Sequence, residues 1–136
     1  MKKKLYRIID ANLNRSREGL RVCEEIARFV LDDGSLTKEL KGLRHGISNC
    51  IKLYPADLRV IVSARDSGAD VGRGSQAIEK KRAGWKEISI ANMERVKESL
   101  RVLEEFSKLI DSKIADKFKR IRFKSYNAEK KLVSRF

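Results

Sequence analysis

The chain has 136 residues, enough for one domain with its own hydrophobic core and no disulfide or metal support. Thirty-two Lys and Arg against nineteen Asp and Glu give +13, a balance that favours anionic partners (nucleic acid, acidic membrane or phosphorylated small molecules) without choosing among them. No stretch is apolar enough for a membrane span, MKKK is followed by no signal-like apolar run, and Cys23 and Cys50 fit no CxxC or zinc spacing, so the expectation is a cytoplasmic protein with two reduced, buried thiols.

From about Asp10 to Leu31, the apolar residues Leu13, Leu20, Val22, Cys23, Ile26, Ala27, Phe29 and Val30 recur at helical spacing. Asp32-Asp33-Gly34-Ser35 reads as a stop and a new N-cap. Leu36, Leu40, Leu43, Ile47 and Ile51 then step by four and three, a second amphipathic helix that Pro55 ends or follows. Leu58–Val62 is a short apolar run that could be an extended segment or a helical turn. Ser63 to Gln76 carries Gly68, Gly72 and Gly74 and is the clearest loop, long enough to suggest function. Ser89 serves as the N-cap of a third long helix to about Ile110. A last helix follows with Ile114, Phe118, Ile121, Ser125, Ala128 and Leu132 on one stripe. The fold class is all-α.

Ala11–Glu25 and Ala91–Glu105 are the same sentence written twice, with nine of fifteen positions identical. Leu40, Leu43 and Arg44 correspond to Phe118, Ile121 and Arg122 in the helix that follows. Two helix–turn–helix units, about 10–53 and 89–133, therefore make a pseudo-twofold four-helix bundle, with the glycine-rich loop in the connection. The repeat keeps polar residues as well as apolar ones. On a wheel of 100° per residue, Asn12 and Arg15 fall on the apolar arc and Glu18 at its edge, and Asn92, Arg95 and Glu98 repeat this. Buried arginine needs a partner. Two readings stay open: a structural Asn/Arg/Glu network, or a polar pocket that holds an anion. Arg21–Glu25 and Glu24–Arg28 read as solvated surface pairs, matched by Arg101–Glu105 and Glu104–Lys108.

In the loop, ARDSGADVGRG sets Arg65, Asp66, Asp70 and Arg73 among glycines. Two carboxylates four residues apart suit Mg²⁺ shared with phosphate oxygens, and Arg65 suits a phosphate clamp. A polar turn with Asx-type bonds is the competing reading. Neither a Walker A loop nor a dinucleotide fingerprint is present. His45, the only histidine, lies opposite the apolar stripe of its helix, as a surface histidine would.

RIIDANLNRSREGLRVCEEIARFVLDD, LKGLRHGI, SARDSGADVG and ANMERVKESLRVLEEFSK, in that order, resemble the small helical domain found ahead of bacterial thiamine phosphate synthase. That family is regarded as a kinase of hydroxymethylpyrimidine phosphate. The resemblance implies ATP and Mg²⁺, and phosphorylated small molecules as substrates. It carries over Asn12, Arg15, Glu18, Arg44, His45, Arg65, Asp66, Asp70, Gly72, Asn92 and Arg95 as site positions. In that scheme Arg15 and Arg95 hold phosphate, Arg65 steadies the transferred group, and Asp66 and Asp70 hold Mg²⁺. Asn12 and Asn92 bond the pyrimidine edge or a phosphate oxygen. Where the family loop often has proline between the aspartates, this chain has Ser67-Gly68-Ala69. No synthase barrel is present in these residues, so synthase activity is not expected from them; a thiamine phosphate synthase as partner is. Phe123, Tyr126, Val133 and Phe136 lie off the main stripe of the last helix and suit a homodimer. Nucleic-acid binding, which the charge and the basic tail invite, is disfavoured because glutamates alternate with the basic residues on the repeated helices. A non-catalytic regulatory domain is the other alternative.

Overall fold

The computed structural model describes residues 1–74 and 81–136. The last two residues of the expected loop, Ser75 and Gln76, lie outside the described residues. Five α-helices occur among the described residues: α1 (Lys2–Glu25), α2 (Gly34–Ile51), α3 (Leu58–Ser63), α4 (Trp85–Ser107) and α5 (Ser112–Val133). No strand occurs among the described residues, and no helix there is long and apolar enough to cross a membrane.

The long helices form a square. α1 packs on α4 and α2, and α5 packs on α4 and α2. The core takes Ile9, Leu13 and Leu20 from α1, Leu40 and Ile47 from α2, Met93, Leu100 and Leu103 from α4, and Phe118 and Leu132 from α5. α1 and α4 run antiparallel: Gly19 faces Asn92 and Val96, whereas Cys23 Sγ reaches the Ser89 carbonyl at 3.8 Å. α2 and α5 are antiparallel too, since Glu39 meets Lys131 and Gly46 meets Ile121. The repeat is thus a twofold arrangement in space, with α1 matched to α4 and α2 to α5.

Several local expectations shift. α1 begins at Lys2, because Leu5 and Ile9 extend its apolar face one turn and more before Asp10. Its last turn widens into a π-turn over Ile26–Val30. The chain then reverses at Asp32, whose φ of 49° is left-handed, and Asp33 N–H donates to the Ala27 carbonyl at 2.9 Å. The N-cap of α2 is Asp33, which accepts from Leu36 N–H at 2.9 Å; Asp111 caps α5, accepting from Lys113 N–H at 2.8 Å. Ser89 does not start α4. It is buried inside the helix and its hydroxyl donates to the Trp85 carbonyl. The Leu58–Val62 run is helical and docks on α1 through buried Ile61.

Candidate functional site

The bundle explains part of the repeated polar set without any ligand. Glu24 is buried at the end of α1 and takes Arg44 of α2 through Nε at 2.9 Å and Nη2 at 3.3 Å. Glu104 repeats this with Arg122 of α5 through Nε at 2.9 Å. Glu24 and Glu104 are therefore interhelical anchors, a correction to the solvated Glu24–Arg28 and Glu104–Lys108 pairs expected from spacing. Spacing along one helix cannot show that a neighbouring helix supplies a better partner. Arg44, carried over as a site residue, is held in this pair; His45 beside it is exposed.

Asn12 is buried and its Nδ2 donates to the Ile8 carbonyl at 2.9 Å; Asn92 does the same to Ile88 at 2.9 Å. Arg15, Glu18, Arg95 and Glu98 are exposed. The expectation that Arg15 and Arg95 point into the core is corrected. The apolar arc was centred too far round the wheel because it included Val22, which is exposed, and omitted Leu5, Ile9 and Ser16, which are buried. Recentred on those residues, Arg15 stands about 100° from the middle of the buried face.

The loop folds back on α1. Arg65 donates from Nε and Nη2 to the two carboxylate oxygens of Asp10, each at 2.7 Å. Asp10 is buried, 5% exposed, so the pair sits at the boundary of core and solvent. The Asp10 hydrogen bonds, then its charge, hold the Arg65 guanidinium above its ordinary range; partial burial opposes this and the Glu18 charge adds to it. Arg7 Nη2 donates to the Asp66 carbonyl at 3.0 Å, tying the next loop residue to the same helix. Asp10 and Arg7 were not among the residues read from sequence. Asp10 stands only two residues before the repeat's Asn12, but its counterpart in the second half is Ile90, so the repeat pattern does not select it. The structure thus brings Arg65 and Asp66 to α1, with Arg65 within reach of the Glu18 charge. It leaves Arg44 and His45 on α2, and Asn92 and Arg95 on α4.

Asp66 Oδ1 accepts from Ala69 N–H at 3.1 Å, and Asp70 Oδ1 accepts from Gly72 N–H at 2.9 Å. Both carboxylates are exposed. These Asx-type bonds occupy one oxygen of each, and the remaining carboxylate oxygens are hard donors of the kind Mg²⁺ takes alongside phosphate and water. No group of three or more His, Cys, Asp or Glu side chains placed to hold a metal ion occurs among the described residues. Arg65 uses its Nε–Nη2 edge for Asp10, which leaves Nη1 to meet an anion.

Two surface concavities lie away from this cluster. One, of about 500 Å³, lies between the end of α1 and the start of α2 and is lined by Glu24, Arg28, Asp32 and Lys41 among others. The other is a trough between α2 and α5.

The sequence profile of the ThiD2 family matches residues 7–131. A thiamine-phosphate synthase of Nostoc punctiforme is 43% identical over 130 residues, covering 95% of this chain and 35% of the relative. Those of Rhodopirellula baltica and Thermosynechococcus vestitus are 41% and 39% identical, covering 90% and 96% of this chain and 32% and 36% of their own. The chain spans about a third of the length of the curated relatives it matches. No solved structure matches it.

Proposed function

The chain belongs to the ThiD2 family, and from that premise we propose that it is a kinase of thiamine biosynthesis, converting 4-amino-5-hydroxymethyl-2-methylpyrimidine phosphate to its diphosphate with Mg-ATP. The observation that carries this reading is Arg65, fixed by a buried carboxylate at 2.7 Å on two nitrogens while its side chain stays half exposed. A guanidinium held in advance of substrate binding is what phosphoryl transfer asks of a protein. The reaction needs positioning and charge neutralisation more than proton chemistry.

In the proposed step an oxygen of the pyrimidine phosphate attacks the γ-phosphorus of ATP. The bond from that phosphorus to the β,γ-bridging oxygen breaks, and ADP leaves with the electron pair. The acceptor is a phosphate monoester that is largely ionised at neutral pH, so no strong general base is required. Arg65 neutralises charge on the transferred group, and Asp10 keeps it oriented. Asp66 and Asp70 would hold Mg²⁺, which supplies charge neutralisation between the phosphates when bound. Arg15, exposed on α1 near Glu18, contributes positive charge for the substrate phosphate. That the relatives are thiamine-phosphate synthases supports placing the reaction in that pathway.

A coupled assay of ADP release tests the reading. ADP should form only when the pyrimidine monophosphate is added with Mg-ATP, and not with the unphosphorylated pyrimidine alcohol. ADP release independent of the pyrimidine phosphate, or equal with both acceptors, contradicts it.

A further inference from the structure

The positive charge of the chain is not centred on the candidate site. Nine basic and two acidic side chains fall in residues 112–136, more than half of the net +13. Lys117, Lys124 and Lys131 recur every seven residues on α5, all exposed, and heptad spacing keeps them on one side of the helix. That side borders the trough between α2 and α5, a cavity of about 1060 Å³. Gly42, Leu43, Gly46 and Ile121 line its floor, and Lys38, Lys124, Lys130 and Lys131 stand at its rims. Glu39 is the only acid in the lining, and it is bound to Lys131 at 2.8 Å.

The glycines are informative because the chain itself does not require them. A Cβ at Gly42 would meet nothing within 4 Å, and one at Gly46 would make ordinary contact with Ile121 at 3.5 Å. Both lie inside α2, where glycine is the weakest helix former after proline. Their absence of side chains keeps the floor open for a backbone to approach closely. The trough runs along α2, an 18-residue helix about 27 Å long.

We propose that this trough docks an acidic amphipathic helix of a partner protein. Its apolar face would lie on Leu43 and Ile121 against the two glycines, and its Glu or Asp residues would meet the rim lysines. Charge complementarity selects this occupant. A second copy meeting the trough face to face would set lysine rim against lysine rim. A nucleic-acid strand would find no aromatic platform in the lining, because Phe123 and Tyr126 pack edge to face elsewhere on α5 and Lys97 of α4 lies over the Tyr126 ring.

The test uses the full chain and a fluorescein-labelled synthetic peptide of about 18 residues, matched to α2, with leucines on one helical face and glutamates flanking them. Fluorescence anisotropy at physiological salt should show micromolar binding. A scrambled peptide of the same composition should bind at least about tenfold more weakly, because charge alone is then not enough. The pair Lys124→Glu with Lys131→Glu should lose about tenfold or more. Gly42→Leu, which fills the floor without touching a lysine, should do the same while its melting temperature is retained. Equal binding of the two peptides, no saturable binding of the helical one, or retention of its affinity in Gly42→Leu overturns the proposal. Tighter binding of an arbitrary DNA duplex, lost in the lysine variants, also overturns it and assigns the face to nucleic acid. None of these outcomes depends on the kinase activity, since the trough shares no residue with the Asp10–Arg65 cluster.

Discussion

The same substitution should change stability in opposite directions at two glycines of this bundle. At Gly19 a Cβ would stand 2.8 Å from Val96 Cγ2 and 2.9 Å from the Asn92 carbonyl oxygen. Neither atom can yield easily: one belongs to a β-branched side chain and the other to helix backbone. Gly19→Ala must therefore push α1 and α4 apart, at a cost of about 2–3 kcal/mol for overpacking. The gain in helix propensity returns about 1 kcal/mol, leaving a net loss of about 1–2 kcal/mol. For a domain of this size that lowers Tm by about 4–8 °C. At Gly42 nothing opposes the Cβ. Gly42→Ala should stabilise by about 0.5–1 kcal/mol and raise Tm by about 2–4 °C. Thermal melts followed by far-ultraviolet circular dichroism read both. If Gly19→Ala melts at or above the wild-type temperature, the close α1–α4 crossing is not what holds the two repeats together, and the reasoning fails.

Other expectations follow from the ion pairs and buried groups. Arg44→Ala strands the buried Glu24 carboxylate and should destabilise by about 2–3 kcal/mol in urea unfolding; Arg21, 3.5 Å from Glu24, softens the loss. Arg122→Ala should cost about the same, because Glu104 is bound in the same way and Arg101 reaches it at 3.2 Å. Asp10→Ala frees Arg65 from its orientation and should lower kcat about tenfold or more in the ADP-release assay, with a smaller change in Tm than Arg44→Ala. Burial, then the charge of Glu129, pushes the Cys23 thiol up to about 12, and burial pushes the Tyr54 phenol up to about 12 against the opposing hydrogen bond with Ser107. Raised folded-state values mean that the unfolded chain loses these protons first, so stability is full below about pH 9 and falls as pH rises towards 12, by up to about 1.4 kcal/mol per pH unit per group. Urea unfolding across that range, with an ultraviolet phenolate titration in which Tyr54 ionises late, checks the direction.

The two-unit bundle was legible because nine identical positions and matched four-and-three stripes leave few other ways to bury the apolar faces. The Glu24–Arg44 and Glu104–Arg122 anchors were half legible. Each residue stood in the repeat, but only tertiary packing shows that the glutamate turns from its own helix to the next. The wheel misplaced Arg15 because one exposed valine weighted the arc and residues before Asp10 were left out of it. The start of α4 was missed because Ser89 has the chemistry of a cap, yet that hydroxyl is equally content to bond back to the Trp85 carbonyl inside a helix. Asp10 had no local signal at all. Its importance comes from Arg65, 55 residues away, and long-range pairing of one carboxylate with one guanidinium leaves no periodicity behind.

The measurement that bears most directly on the central claim is ³¹P NMR of the purified protein with Mg-ATP and hydroxymethylpyrimidine phosphate, run beside an Asp66→Ala variant. The paired resonances of a pyrimidine diphosphate should grow in step with ADP, and should be lost in Asp66→Ala while its circular dichroism spectrum stays that of the wild type. An unchanged pyrimidine monophosphate signal, with an active ThiD2 protein converting the same substrate in parallel, would contradict the kinase assignment and leave Asp10–Arg65 as a clasp that holds the loop to α1.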